Sequence, residues 1–401
     1  MEHLIKEALL VGEAILATLA APGTQSAITE QQNLSQLGSA SVTAALIADP
    51  HQPLHSQPAP SSSSETKPQD PFEEDVELLS TTLSSLIARD LMPEIEAEVR
   101  KVFSVPGKLL APPPTAEERA ELNMPRGIWA LICLHVARYC QPAAERDLLV
   151  RIALVCDTFI AALDCLDDVE DQDNTLLRRD VGDARTCNLS TILIALSHHW
   201  LLTYDGQGLP APLVRSLLTI LHQRLLNSAQ GQHQDLLMEI QAVEMVALEA
   251  SLSMTRSKSA SLNSFMCQFP AIAVQAQHLV TDFAQFGELM GLALQINDDI
   301  YDFTAGLASP LSAMKSDVRR DKKTLPIVLA YQQFKRLQKE IAAGTDEQSV
   351  SLRQQAIDNA IRAAWGIAHY FQRQALLLAQ QIETKQNVPF PALLRFLCGL
   401  V

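Results

Sequence analysis

Phe286-Gly287-Glu288-Leu289-Met290-Gly291-Leu292-Ala293-Leu294-Gln295-Ile296-Asn297-Asp298-Asp299-Ile300-Tyr301-Asp302 is an apolar run that closes on three carboxylates. Its period is helical, and the spacing predicts a helix over residues 281–303. A second run, over residues 143–171, ends the same way in Asp167-Asp168-Val169-Glu170-Asp171. With aspartate at about one residue in twenty, two such triplets arise by chance in on the order of one chain in a thousand of this length. A solvated acidic helix end explains one triplet more easily than two.

On a helix the outer carboxylates of each triplet share a face, where like charges repel by a few tenths of a kcal/mol per pair. A cation should compensate. Oxygen-only donors suit a hard ion, and Mg²⁺ in particular is held by one or two carboxylates together with water and substrate phosphates. Two facing helices so equipped would clamp a diphosphate. The expected fold is therefore all-α, a helical bundle with carboxylates projecting into its centre.

Composition agrees with that class. Of 401 residues, 47% are apolar and only 5% aromatic, which leaves room for a large helical core. The net charge of -15 argues against a nucleic-acid partner, since phosphate neutralisation needs a basic surface. Seven cysteines without a CxxC pair or a metal-ligand spacing read as reduced core residues of a cytosolic protein. No run of eighteen apolar residues predicts a membrane span.

Residues 1–20 are apolar, but Glu2, Glu7 and Glu13 interrupt them, so a short amphipathic helix is expected and not a signal peptide. Residues 21–71 are rich in Ser, Pro and Gln and read as a disordered linker. Residues 72–401 carry the helical periodicity and form the expected catalytic domain. Breaks are expected around Pro112-Pro113-Pro114, at Gln141-Pro142, and over residues 171–183 and 304–323. Deleting residues 1–71 is expected to spare activity. His198-His199 lacks a third ligand at suitable spacing and reads as a packing or surface pair.

From about Phe72 onward the chain resembles the trans-isoprenyl diphosphate synthase (polyprenyl synthetase) family. The residues 286–302 quoted above are similar to that family's second aspartate-rich signature, Ser316-Asp317 and Lys322-Lys323-Thr324-Leu325-Pro326 to the segment that follows it, and Lys258-Ser259 to its Lys-Thr pair. The resemblance implies an isoprenoid synthase-type bundle with a central cavity, and a homodimer. It implies Asp167, Asp171 and Asp298 as direct Mg²⁺ ligands, with Asp168, Asp299 and Asp302 as ligands or as partners through water. Lys258 and Lys322 would hold the diphosphate of an allylic substrate, Gln295 would face the same cavity, and Lys315 would be a weaker third cation. Chain elongation with isopentenyl diphosphate is the implied reaction. Phe159, Ala162 and Leu163, upstream of Asp167, would form the cavity floor, and their size implies products of roughly fifteen to twenty carbons.

The chain departs from the family at the implied site of the second, homoallylic diphosphate. Gly107-Lys108 is followed by Leu109-Leu110-Ala111-Pro112 instead of the family's Arg-Pro, and Arg178-Arg179 stands seven residues after Asp171 where the family has five. These losses keep other outcomes in view: a terpene cyclase, or an acceptor prenyltransferase. Leu166-Asp167-Asp168-Val169-Glu170-Asp171-Gln172-Asp173-Asn174 is also similar to the bacterial peptide-pheromone prenyltransferases. A non-catalytic partner subunit is the reading that two intact triplets oppose. Asp164, a carboxylate in an otherwise apolar wall, is expected to make a structural hydrogen bond.

Overall fold

A computed structural model of the protein describes residues 1–19, 72–113, 125–203, 209–308, 320, 322–340 and 346–399. The linker expected over residues 21–71, and Lys315, lie outside the described residues. Among those described there is no β-sheet. The helices, in chain order, are α1 (Glu2–Leu19), α2 (Glu73–Asp90), α3 (Pro93–Ser104), α4 (Ile128–Cys140), α5 (Arg146–Glu170), α6 (Leu176–Val181) and α7 (Asp183–Leu202). They continue as α8 (Ala211–Glu239), α9 (Leu248–Thr255), α10 (Ser261–Ala273), α11 (Val280–Ala308), α12 (Leu325–Glu340), α13 (Asp346–Gln386) and α14 (Ala392–Leu397).

Two predicted boundaries move. The helix of the second triplet runs on to Ala308, and the expected loop over residues 171–183 contains α6, capped by Thr175, whose side chain accepts from the Arg178 amide. No described helix is long and apolar enough to cross a membrane.

Helix α5 is buried over most of its length, from Leu149 to Cys165, because it packs on α4, α7 and α10 at once. A helix apolar all round belongs in the centre of a bundle. Its Phe159 meets Phe265 of α10 edge-on at 5.2 Å, and Phe265 meets Phe269 at 5.0 Å, a geometry that adds to area burial. Helix α11 packs on α10 on one side and on α13 on the other. Gly291 makes the first of these contacts close: a Cβ there would stand 2.7 Å from the Cβ of Asn263. Gln295 and Asp299 follow Gly291 at four-residue steps, so the same contact fixes the direction of the polar stripe.

Candidate active site

The chain ends α5 where the carboxylates are. The amide of Asp171 donates to the carbonyl of Asp167 at 2.8 Å, that of Gln172 to Val169 at 3.2 Å, and that of Asp173 to Asp168 at 2.9 Å. This is a Schellman closure with Gln172 at φ 55° in the position that glycine usually takes. Its consequence is that Asp171 and Asp173 turn back toward the bundle instead of continuing into solvent. The cost is electrostatic, because carboxylates at a helix C-terminus face the negative end of its dipole.

Two lysines, Lys258 half-buried and Lys322 buried, compensate. Lys258 lies in a single wide π-helical turn, Arg256–Ala260, between α9 and α10. Such turns recur at functional sites. Gly231 of α8 presses on this turn, since a Cβ on it would stand 2.3 Å from the Lys258 amide nitrogen, and Ser228 one turn earlier donates to the Lys258 carbonyl at 3.2 Å. The Lys258 ammonium so placed reaches Asp167 at 2.9 Å, Asp235 at 2.9 Å and Asp171 at 3.3 Å. Lys322, almost fully buried, pairs with Asp171 and stands 3.6 Å from Asp235. Gln232 donates to Asp171 at 3.1 Å.

The titration properties follow from these contacts. Burial pushes Asp167 up to about 6 against the pull of Lys258, and pushes Asp168 up to about 6 as well. Burial would also raise Asp171, but Lys258 and then Lys322 outweigh it and hold that carboxyl below its ordinary range. Burial acts to lower Lys258, and Asp167, Asp235 and Asp171 together raise it well above the ordinary lysine value.

Two spaces share Asp167, Lys258, Ser259 and Gln295 in their walls. A polar chamber of about 140 Å³ is lined by Asp167, Asp171 and Asp173 from the first acidic segment, Gln295 and Asp299 from α11, and both lysines. Beside it an apolar cavity of about 380 Å³ runs between α4, α5, α8, α10 and α11, with Asp167, Asp298, Gln295 and Lys258 on its wall. Gln295 donates to Asp299 at 3.0 Å. Asp302 lies one turn further along α11, half-buried. The structure therefore brings Asp167, Asp171, Asp298, Asp299, Gln295, Lys258 and Lys322 to the walls of these two spaces, while Asp168 and Asp302 line neither.

The floor assignment needs correction. Leu163 lines the cavity, but Phe159 and Ala162 do not; both are fully buried within the bundle, and Ile160 and Leu166 line the wall from α5. Counting back from Asp167 by turns gives 163 and 160, whereas 162 and 159 fall off that line by roughly 80° or more at 100° per residue. Asp164 makes the expected hydrogen bond, accepting from the Lys108 ammonium as one half of an ion pair.

Asp235 and Gln232 are absent from the sequence-based site, although Asp235 pairs with Lys258 and Gln232 donates to Asp171. The readable signal was Gly231, a residue that costs about 1 kcal/mol inside a helix unless something must approach it closely. Arg178, by contrast, spends its guanidinium on Asp183 at 2.8 and 2.9 Å and on the Asp173 carbonyl at 2.5 Å.

The donor set fits Mg²⁺. It is all oxygen, and the buried Oδ1 of Asp235 and Oε1 of Gln232 have no partner among the described residues. Among the same residues no three histidine, cysteine or acidic side chains are placed to hold an ion by themselves. An ion held by Asp167 and Asp168 would have to replace protons there, so its binding would weaken as pH falls through about 6. The gain in melting temperature on adding Mg²⁺ with inorganic diphosphate is expected to be larger at pH 7.5 than at 5.5. An equal gain at both pH values would remove these two carboxylates from the ion's surroundings.

The polyprenyl synthetase family matches residues 126–360. The chain belongs to that family. As a polyprenyl synthetase it is a prenyltransferase enzyme of the isoprenyl diphosphate synthase type. It is 25% identical over 241 residues to the geranylgeranyl diphosphate synthase of Sulfolobus acidocaldarius, covering 57% of this chain and 72% of that protein. It is 25% identical over 292 residues to solanesyl-diphosphate synthase 1 of Oryza sativa, covering 69% of this chain and 64% of that one. The polyprenyl synthetase of Streptomyces coelicolor shares the all-α fold, with a TM-score of 0.60 at 20% identity over 81% of this chain and 98% of the other.

Proposed function

We propose that this polyprenyl synthetase ionises an allylic isoprenyl diphosphate and joins the prenyl group to isopentenyl diphosphate, giving a product of roughly fifteen to twenty carbons. The observation that carries the reading is the polar chamber, with Asp167, Asp171, Asp299, Lys258 and Lys322 on its walls, which shares Asp167, Lys258 and Gln295 with an apolar cavity of about 380 Å³.

Asp167, Asp171 and Asp298 would hold Mg²⁺, with Asp168, Asp299 and Asp302 as further ligands or as partners through water. The bound ion would neutralise the diphosphate as it leaves. Lys258 and Lys322 hold the phosphate oxygens, and burial makes their charge count for more than it would in water. The allylic C–O bond breaks with its electron pair going to the diphosphate. Leucine and isoleucine side chains along α5, α8, α10 and α11 keep water from the resulting cation. The double bond of isopentenyl diphosphate then forms the new C–C bond, and a proton is lost.

The direct test supplies Mg²⁺ and geranyl, farnesyl or geranylgeranyl diphosphate, each with and without isopentenyl diphosphate, and identifies products by mass spectrometry before and after phosphatase. Longer prenyl diphosphates made only with isopentenyl diphosphate are expected. Leu163→Phe, one turn from Asp167, should shorten the product more than Ile160→Phe, two turns away, while Ala162→Phe should harm folding instead. Hydrocarbons or cyclic alcohols from one allylic substrate alone would establish the second reading, a terpene synthase or acceptor prenyltransferase. That reading is favoured by Arg178, which is committed to Asp183 and to the Asp173 carbonyl.

A further inference from the structure

Lys322 reaches the polar chamber from outside any helix, in the short segment that leads into α12. What ties that segment down stands two residues earlier. The Arg320 guanidinium donates through Nε at 3.1 Å and Nη2 at 2.5 Å to Oε2 of Glu239, and through Nη1 at 2.5 Å to the carbonyl of Glu170. Glu239 ends α8 and Glu170 ends α5. A cation on the last carbonyl of a helix satisfies an orphan acceptor and the negative end of the dipole together. Water reaches little of the pair: the Arg320 side chain is 19% exposed and that of Glu239 is 11% exposed.

The partners of Arg320 and Lys322 run in step. Arg320 meets Glu170 and Glu239, while Lys322 meets Asp171, the next residue after α5, and Asp235, one turn back along α8. A helical turn advances about 5.4 Å and two residues of chain span up to about 7 Å, so one short segment lays both cations against the same two helices. The two rungs differ in what they face. Lys322, Asp171 and Asp235 line the polar chamber, whereas Arg320 and Glu239 line neither space. A ligand in the chamber therefore competes for the partners of Lys322 and leaves those of Arg320 untouched. On the far side of Lys322 the Ser251 hydroxyl of α9 donates to the Lys323 carbonyl at 3.0 Å.

We propose that Arg320 is a positioning residue: its bonds to Glu239 and to the end of α5 keep the Lys322 ammonium in the chamber when a metal ion and a diphosphate take the carboxylates from it. This rests on the reading above in which Lys322 holds a phosphate. Without ligand, Asp171 and Asp235 hold the ammonium directly. An ion arriving on Asp171 repels that ammonium by like charge, and the outer tie is then what stops the segment from drawing it out. The guanidinium suits the task because its planar fork reaches a carboxylate and a carbonyl at once, which the point charge of a lysine does not.

The test is a calorimetric titration of inorganic diphosphate, in the presence of Mg²⁺, into the full chain. Wild type, Arg320→Met, Arg320→Lys, Glu239→Gln, Lys322→Met and the Arg320→Met/Lys322→Met double variant are compared, with thermal melts to confirm folding. Arg320→Met should bind diphosphate at least about tenfold more weakly. Glu239→Gln should weaken it too, and Arg320→Lys should fall between wild type and Arg320→Met, since it keeps the charge without the fork. The double variant should bind no more weakly than Lys322→Met alone, because Arg320 acts through that ammonium; a merely structural role would add its own loss. Limited digestion with trypsin, read by mass at the bonds after Lys322 and Lys323, should match wild type in ligand-free Glu239→Gln and run faster than wild type once Mg²⁺ and diphosphate are present. Folded Arg320 and Glu239 variants that bind diphosphate as wild type does, or a double variant in which the two losses add, would overturn the positioning role alone. Unchanged diphosphate binding in folded Lys322→Met would take down the phosphate role of Lys322 and this proposal together.

Discussion

Asp171→Asn is expected to lower kcat/KM for the allylic diphosphate by at least about a thousandfold while the protein remains folded. Asp171 is only 2% exposed and is the one carboxylate, among the described residues, that pairs closely with both Lys258 and Lys322 while lying in the first triplet. The asparagine keeps its shape and the oxygen that accepts from Gln232 at 3.1 Å, so packing barely changes. What disappears is a charge on the chamber wall, and with it a proposed ligand for the divalent ion. Breaking a buried pair can cost about 3 to 5 kcal/mol when one partner is stranded. Here Lys258 keeps Asp167 and Asp235 at 2.9 Å each, and Lys322 keeps Asp235 at 3.6 Å, so the folding loss should sit below that range. Steady-state kinetics beside a thermal melt separates the two effects. A folded variant within tenfold of wild type would place the metal and the leaving group elsewhere.

Which parts of this site were legible depended on whether they are local in the chain. A triplet at the end of an apolar run shows its shared face through the helical period alone, and the chamber wall has Asp167, Asp171 and Asp299 on it as that period demands. The same period misled where it was applied loosely: Phe159 and Ala162 are near Asp167 in sequence but lie in the core, Phe159 against Phe265, and Ile160 has the cavity position. Contacts across the chain left weaker traces. Lys258 reaches Asp235 only because a π-turn and Gly231 bring two backbones together, and neither the turn nor its partner shows in residue spacing. Lys108 and Asp164 are 56 residues apart, joined by a path that no local rule fixes. The apolar segment at the start of the chain read as a helix, which it is, but nothing in its own residues said what it packs against.

Deleting residues 1–19 is expected to lower the melting temperature by at least about 5 °C and to make the protein prone to association, against the expectation that the first 71 residues are dispensable. Helix α1 lies along α13 and sinks Ile5, Ala8, Leu9, Ile15 and Leu16 out of solvent. The contact is close on both sides: a Cβ on Gly366 would stand 2.1 Å from the Ile15 Cδ1, and one on Gly12 would stand 2.9 Å from the Ile367 Cδ1. Tyr370 donates to Glu7 at its edge. Burying an isoleucine or leucine is worth about 1.5 to 3 kcal/mol each as an upper estimate, and the deletion takes four such side chains off α13. The exposed strip left on α13 would hold Ile367 and the small residues around Gly366, and α13 is the helix that backs α11 and its aspartates. Activity should therefore fall through loss of folded protein, with KM for the allylic substrate unchanged in what remains. Ile15→Asp should reproduce the effect in the full-length chain, and a peptide of residues 1–19 added in trans should partly reverse it in the truncated one. A truncated protein that melts with the wild type would show that α13 needs no cover.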